Sequence, residues 1–270
     1  MKRGVAAAKI NLALVVGPRG DGGKHELVTV YQRIALTDEI EIRHAQRTEV
    51  RGFADDTLVA GALAELTRND DVNLAARIRK RIPVAAGLGG GSADAAAALR
   101  LGNTLLRQPL PFERLDEMAA KLGADVPFFL RDGPHVGTAD GTELQPLDLP
   151  QDYWVLLVLP RDSTKSSTAE VYARFDERNG ARGFDARRER LLATLRDVHR
   201  PRDLAALPPN DLASSPLADK LRDLGAFRAD VSGAGPVVYG LFLHRVQASQ
   251  AEGRIARHGH TWLTAPAWYV

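Results

Sequence analysis

A glycine-rich segment followed by a helix-forming run carries the strongest chemical signal in the sequence. Residues 83–100 read PVAAGLGGGSADAAAALR, with four glycines between positions 87 and 91. Glycine permits positive φ angles and leaves room for several backbone N–H groups to point at one anion. The segment therefore predicts a phosphate-binding loop that runs into a helix N-terminus, with Ser92 as the N-cap and Asp94 in the first turn.

The glycines also allow three other interpretations. A P-loop requires a lysine before its Ser or Thr, and here Gly91 is followed directly by Ser92 and Ala93. The dinucleotide-binding fingerprint requires a third glycine at the position that Ser92 occupies, so the match is partial. A glycine-rich turn without a ligand remains open on chemistry alone, although four glycines cost conformational entropy on folding.

Phosphoryl transfer also requires an acid near the acceptor hydroxyl and a cation near the migrating charge. Lys9 interrupts an apolar run from Val5 to Val16, and Asp125 lies directly before the apolar segment VPFFL, which we predict to be a strand. Both groups would be partly desolvated in these surroundings, and if they are paired, each would favour the charged form of the other. The alternatives are a turn aspartate and an edge-strand lysine whose ammonium group reaches solvent.

Hydrophobic periodicity and turn residues predict the elements that position these groups, and they give an α+β set. Before residue 150 we expect strands at 5–16, 27–36, 39–43 and 77–84 and helices at 56–68 and 112–122. The segment 146–152, with two prolines, is the predicted domain boundary. Beyond it we expect strands at 153–159, 227–232, 237–243 and 261–263 and helices at 167–177, 186–198, 216–224 and 246–258.

Composition excludes several classes of function. The chain has 270 residues, 44% of them hydrophobic and 26% charged, and Lys plus Arg (36) nearly balance Asp plus Glu (34). No basic block is interleaved with aromatics, so we expect no nucleic-acid partner. The absence of cysteine excludes disulfides and thiolate chemistry. No apolar run reaches the roughly 18 residues of a membrane span, so the expectation is a cytoplasmic enzyme.

The phrase Pro-x-x-x-Gly-Leu-Gly-Gly-Gly-Ser-Ala at 83–93 resembles the phosphate loop of the GHMP kinases, the galactokinase, homoserine, mevalonate and phosphomevalonate kinase superfamily. Further motifs resemble, in order, the branch that phosphorylates a diphosphocytidyl-linked polyol. They are Ala8–Leu12, Asp21–Gly22, His25–Leu27, Gly123–Phe128 and Ser232–Pro236. The resemblance implies a two-domain α+β GHMP kinase fold. Residues 1–150 would form an ATP-binding and catalytic domain of the ribosomal-protein-S5-like type, and residues 151–270 a ferredoxin-like α/β sandwich.

The same resemblance implies roles for single residues. Lys9 and Asp125 would be the catalytic pair. The residues implied to contact the substrate are Asn11, Lys24, His25, Thr168 and Tyr172. ATP would bind to Pro83, Val84, Ala85, Ala86, Gly87, Leu88, Gly89, Gly90, Gly91, Ser92 and Ala93, and Ser92 would be a ligand of Mg²⁺. Lys24 stands where this branch usually has an aromatic residue that stacks on cytosine.

The expected partners are a small-molecule substrate, with no nucleic acid and no membrane, and the expected state is a monomer or a weak homodimer. Three rival functions stay open at this point. One is another GHMP small-molecule kinase of the homoserine or mevalonate type. The second is a non-catalytic sugar or nucleotide sensor with the same fold, for which loss of Lys9 or Asp125 would be expected. The third is a nicotinamide-dependent oxidoreductase.

Overall fold

Two β-sheets form the framework of the protein. The computed structural model describes residues 1–20, 22–53, 56–70, 72–162 and 167–268, so Asp21 of the predicted Asp21–Gly22 motif lies outside the described residues. The first sheet contains β1 (Lys2–Arg19), β2 (His25–Ala45), β3 (Glu49–Arg51), β4 (Asn73–Arg79), β5 (His135–Thr138) and β6 (Glu143–Pro146). The second sheet has the order β10-β7-β9-β8 and contains β7 (Trp154–Pro160), β8 (Arg228–Val231), β9 (Val238–Phe242) and β10 (Gly259–Thr264).

Helices cover both sheets and complete an α+β architecture, as predicted. Their bounds are α1 (Thr57–Thr67), α2 (Gly90–Asn103), α3 (Phe112–Leu122), α4 (Val126–Phe129), α5 (Thr168–Glu177), α6 (Phe184–Arg196), α7 (Pro216–Asp223) and α8 (Arg245–Ile255). Short 3₁₀ turns follow at Pro201–Ala206 and Ala256–His258. Among the described residues, no helix combines the length and the apolar character needed to cross a bilayer.

The long β1–β2 hairpin carries the site. Predicted strands 27–36 and 39–43 are one continuous strand, because β1 pairs with β2 from Lys2↔Ile42 to Arg19↔His25. Three register shifts interrupt this pairing, between Ala7 and Lys9, between Asn11 and Ala13 and between Val16 and Arg19. These irregularities decide which polar side chains of the two strands share a face.

The loop into α2 differs from its prediction in two respects. The strand predicted at 77–84 ends at Arg79, because the backbone N–H groups of Arg81 and Ile82 donate to Asp38 Oδ1 instead of extending the ladder. Gly89, with φ 68°, is the N-cap of α2 in place of Ser92. A glycine in the left-handed region lets the helix start at Gly90, so Asp94 lies beyond the first turn.

The predicted strand after Asp125 is also wrong, since Val126–Phe129 forms the short helix α4. Pro127 lies in its first turn, where a missing N–H costs nothing. The buried guanidinium of Arg33 donates to the carbonyls of Phe129 and Arg131, over 3.4 and 2.5 Å, and satisfies the other end of the helix. These long-range contacts favour helix over the extended structure that the apolar run suggested.

The cores of the two sheets meet beneath the site. One cluster of buried side chains combines β1 residues such as Ile10 and Leu12 with Val155, Leu157 and Tyr239 of the second sheet. The chain returns at its far end to the first sheet, where Ala35 and Ala267 donate backbone hydrogen bonds to Ala265 and Arg33. The two sheets are therefore packed together rather than joined by a single linker.

Candidate active site

A cavity of about 910 Å³ opens between the β1–β2 hairpin, the loop before α2, the start of α4 and the N-terminus of α5. All seven of the predicted catalytic and substrate-contacting residues line it. They are Lys9, Asn11, Lys24, His25, Asp125, Thr168 and Tyr172. Of the predicted phosphate loop, Ala85, Gly87, Gly89 and Ser92 line the cavity. By contrast, the side chains of Ala86, Leu88 and Ala93 are buried in the core, and Val84 is exposed.

The phosphate loop lies directly against Lys9. The backbone N–H of Lys9 donates to Leu88 O over 2.9 Å, which ties β1 to the loop. A Cβ on Gly89 would lie 2.9 Å from Phe129 Cζ and 3.1 Å from Lys9 Cγ. A Cβ on Gly87 would lie 2.1 Å from Ser232 O. Glycine is therefore required at both positions for close approach as well as for positive φ.

Lys9 and Asp125 come together as predicted. Lys9 Nζ lies 3.5 Å from Asp125 Oδ2 and donates to Asn11 Oδ1 over 2.6 Å. Asn11 Nδ2 in turn donates to Thr29 Oγ1 over 2.8 Å, which fixes the amide orientation. The Lys9 side chain is 5% exposed and that of Asp125 is 32% exposed. The cation is thus held inside the wall while the carboxylate faces the cavity.

His25 and Tyr172 form a stacked pair at the hairpin end of the cavity. Their ring centroids are 5.0 Å apart with an interplanar angle of 26°. His25 Nδ1 lies 2.7 Å from Gly17 O, and Nε2 lies 3.2 Å from both Arg19 Nε and Asp176 Oδ1. A nucleobase reaches this ring nitrogen only by displacing Arg19 and Asp176. Burial, reinforced by the charge of Asp125, raises the pKa of Tyr172 to about 12.

Lys24 is paired across the cavity mouth. Its Nζ lies 2.5 Å from Asp140 Oδ2, and its side chain is 66% exposed. Partial burial opposes ionisation of Asp140, but hydrogen bonds from Lys24 and Thr142 together outweigh it and lower the pKa of this carboxyl group. The position thus presents an ion pair in place of a stacking ring.

The glycine loop Ser232–Pro236 packs against the phosphate loop. Ser232 Oγ donates to Gly87 O over 2.9 Å, and Val237 N donates to Ala86 O over 3.2 Å. The Asn11 N–H reaches the same hydroxyl over 3.4 Å. The second sheet therefore supports both the loop and the polar face of β1.

Sequence reasoning missed several residues of the cavity wall, among them Arg19, Tyr31 and Asp140. Tyr31 is the cross-strand partner of Asn11. The two register shifts that flank this pair hide it from sequence periodicity. Asp140 precedes Gly141 in a turn, and only its approach to Lys24 marks it as part of the wall.

Comparison with known proteins identifies the family of this chain. The GHMP kinases N terminal domain family matches residues 57–133, and the GHMP kinases C terminal family matches residues 199–261. A 4-diphosphocytidyl-2-C-methyl-D-erythritol kinase of Kineococcus radiotolerans is 38% identical, over 86% of this chain and 79% of that relative. One from Pelobacter propionicus is 36% identical, over 97% and 96% of the two chains.

The chain belongs to the 4-diphosphocytidyl-2-C-methyl-D-erythritol kinase family.

Solved structures agree with this family assignment. The crystal structure of a 4-(cytidine 5'-diphospho)-2C-methyl-D-erythritol kinase superposes with a TM-score of 0.79 at 26% identity, covering 98% of this chain and 99% of that chain. A mevalonate kinase superposes with a TM-score of 0.74 at 12% identity, which shows the shared fold alone. The predicted two-domain α+β GHMP kinase fold is confirmed, and membership of this kinase family implies ATP as a substrate.

Proposed function

We propose that this protein transfers the γ-phosphoryl group of ATP to the 2-hydroxyl of 4-diphosphocytidyl-2-C-methyl-D-erythritol, a step of non-mevalonate isoprenoid precursor synthesis. Family membership supports the reaction. The observation that carries the proposal is the Lys9–Asp125 pair, 3.5 Å apart on the wall of the cavity that the phosphate loop also lines. Donor phosphates, acceptor hydroxyl and proton acceptor can then meet in one place.

In the proposed step, Asp125 orients the 2-hydroxyl and takes its proton as the new P–O bond forms and the bond between the γ-phosphorus and the β–γ bridging oxygen breaks. Lys9 stabilises ionised Asp125 and the negative charge that spreads over the migrating group. Free N–H groups at the N-terminus of α2 bind the donor phosphates. The attack is direct and in line, so no covalent enzyme intermediate forms.

Substrate recognition is assigned to Asn11, beside Lys9, and to the residues at the hairpin end of the cavity. Asn11 contacts polar groups of the polyol, and His25 with Tyr172 binds the base. Thr168, the first residue of α5, lines the cavity beside them. Lys24, held by Asp140, interacts with a phosphate or covers the edge of the base with its aliphatic chain. Under this proposal residues 1–150 form the nucleotide-binding and catalytic domain, and residues 151–270 form the second domain, which supplies Thr168 and Tyr172.

The residues present fit a Mg²⁺ ion that arrives with ATP. Within the described part of the chain, no group of three or more His, Cys, Asp or Glu side chains is arranged to hold a metal. Mg²⁺ commonly takes most of its oxygen ligands from substrate phosphates and water, with few protein ligands. Ser92, in the first turn of α2 and on the cavity wall, is the proposed protein ligand. When bound, the ion neutralises phosphate charge.

A coupled ADP-release assay with Mg-ATP and the diphosphocytidyl substrate tests the function. We expect turnover by the native protein and a loss of kcat of ~10²–10⁴ in Asp125→Asn, because a positioned base contributes about this factor. Nucleotide binding by calorimetry should be retained. The control is Asp219→Asn, an exposed aspartate of α7 whose side chain is 76% exposed, which should behave as the native protein. Absence of turnover with ATP binding intact would refute the proposed acceptor.

A further inference from the structure

Tyr31 makes a contact with Asp125 that the proposed reaction does not yet use. The Tyr31 hydroxyl donates to Asp125 Oδ1 over 3.0 Å, while Lys9 Nζ lies 3.5 Å from Oδ2. The two carboxylate oxygens therefore have different partners. Burial, together with the charge of Asp125 and its hydrogen bond, raises the pKa of Tyr31 well above its ordinary value. Tyr31 thus remains a hydrogen-bond donor throughout the pH range of an assay.

Packing fixes the position of this hydroxyl. Tyr31 is 3% exposed, and its ring stacks on Phe128 of α4, with centroids 4.9 Å apart and an interplanar angle of 25°. A Cβ on Gly137 would lie 2.8 Å from Tyr31 Cε2, and a Cβ on Gly141 would lie 2.8 Å from its hydroxyl oxygen. Two glycines therefore leave the space that the tyrosine fills. The hydroxyl cannot leave Asp125 without displacing the ring.

We propose that Tyr31 is a positioning residue for phosphoryl transfer, which holds Asp125 Oδ1 so that Oδ2, beside Lys9, receives the proton of the acceptor hydroxyl. A carboxylate held at one oxygen has less rotational freedom, so its free lone pairs keep one direction. A hydrogen bond donated to a carboxylate also favours its charged form, the form that accepts a proton. This inference rests on the proposed role of Asp125.

The first test is Tyr31→Phe, which keeps the ring and removes the hydroxyl. We expect kcat to fall at least about tenfold, the lower end of the range that corresponds to a lost hydrogen bond to a charged group. KM for ATP should stay unchanged, and the acid limb of the kcat–pH profile should move to higher pH. Tyr153→Phe is the matched control, because Tyr153 is buried and its hydroxyl has no hydrogen-bond partner among the described residues. That variant should keep the native profile.

A double-mutant cycle separates positioning from general packing. In the Asp125→Asn background, Tyr31→Phe should cause much less than its tenfold loss, because the group it positions is gone. An equal loss in both backgrounds, or a lower kcat with an unmoved acid limb, would show that Tyr31 acts structurally and would overturn the inference. An unchanged kcat and acid limb in Tyr31→Phe would overturn it as well.

A readout without turnover keeps this inference distinct from the proposed function. With ¹³C-labelled aspartate, the Cγ resonance of Asp125 can be assigned by its loss in Asp125→Asn and titrated in the native protein and in Tyr31→Phe. A midpoint at higher pH in Tyr31→Phe supports the contact even if the diphosphocytidyl substrate is not phosphorylated, in which case the proposed acceptor alone fails. Identical midpoints would overturn the inference whether or not the substrate is turned over.

Discussion

One lysine and two buried carboxylates meet behind the phosphate loop. Lys80 Nζ lies 2.5 Å from Asp38 Oδ2 and 2.7 Å from Asp94 Oδ2, and both carboxyl groups have no exposed surface. Asp38 also accepts two backbone N–H groups, whereas Asp94 Oδ1 has no partner within the described residues. The negative charge of Asp38 is therefore better compensated than that of Asp94. Burial raises the pKa of Asp94 to about 7, opposed by Lys80 and reinforced by Asp38 and Asp56.

This carboxyl group makes stability depend on pH. The raised pKa means that folded Asp94 keeps a proton that the unfolded chain releases near pH 4. Its contribution is therefore fully present below about pH 4 and is lost as the pH rises towards about 7, with a total on the order of 4 kcal/mol. We predict that Asp94→Asn flattens this part of the stability–pH curve relative to the native protein. Urea unfolding at several values between pH 4 and pH 8 measures it.

The exposed substitution Asp219→Asn controls for the general effect of removing one negative charge. It should leave the slope of the native curve unchanged. If Asp94→Asn gives the same pH slope as the native protein, Asp94 is ionised throughout this range and Lys80 compensates both carboxylates.

At the scale of the element, two glycines at the start of α2 differ in whether the structure requires glycine at their positions. Gly89 has φ 68°, and its Cβ would lie 2.9 Å from Phe129. Gly91 lies inside the helix, and its Cβ would lie at an ordinary 3.5 Å from Leu58. Both belong to the sequence motif, yet only Gly89 is required by backbone conformation and by close approach.

We predict that Gly89→Ala destabilises the protein by at least ~1–2 kcal/mol, the cost of a left-handed non-glycine residue, and more where Phe129 must shift. Since Lys9 Cγ is also close, kcat/KM for ATP should fall about tenfold or more. Gly91→Ala should instead stabilise α2 by ~0.5–1 kcal/mol. Thermal unfolding and ATP-dependent kinetics of the two variants measure this. Equal effects of the two substitutions on stability and on kcat/KM would mean that the loop changes its conformation to accommodate a Cβ at position 89.

Local sequence signals predicted those elements whose end residues and hydrophobic pattern indicate the same structure. The capping box of α5, Ser167 with Glu170, forms both of its hydrogen bonds, and Gly123 ends α3 as its C-cap. Helix α4 could not be predicted in this way. Its four residues are apolar and short, and the group that satisfies its last carbonyls, Arg33, comes from β2. A helix stabilised by a distant side chain leaves no periodic pattern in its own sequence.

At the scale of the whole molecule, the site depends on how the two sheets meet. The sequence contained the phosphate loop, Lys9, Asp125 and the Ser232 loop, and their separate motifs were enough to predict one site. The contacts that refine it, such as Tyr31 with Asp125 and Lys24 with Asp140, arise from the shifted hairpin register and from a turn between β5 and β6. Register shifts and long-range turns are set by tertiary packing, so sequence periodicity does not reveal them.

Ser232, in the loop between β8 and β9, links the second sheet to the phosphate loop and to β1. Its hydroxyl is fully buried, donates to Gly87 O over 2.9 Å and receives the Asn11 N–H over 3.4 Å. Ser232→Ala would leave both backbone groups without this partner, at a cost of ~1–3 kcal/mol. Because Gly87 belongs to the phosphate loop and Asn11 holds Lys9, we predict that the substitution also lowers kcat/KM for ATP several-fold.

Ser215→Ala provides the matched control at this scale. Ser215 is the N-cap of α7, and its hydroxyl accepts from Leu217 N, so its loss should also cost ~0.5–2 kcal/mol. It lies on a helix away from the cavity wall, and its kinetic constants should therefore equal those of the native protein. Chemical unfolding gives the stability of both variants, and the ADP-release assay gives their kinetics. If both variants lose stability and neither loses kcat/KM, the second sheet stabilises the fold without adjusting the phosphate loop. A kinetic defect confined to Ser232→Ala would show that the packing of the two sheets sets the geometry in which Lys9 meets the donor phosphates.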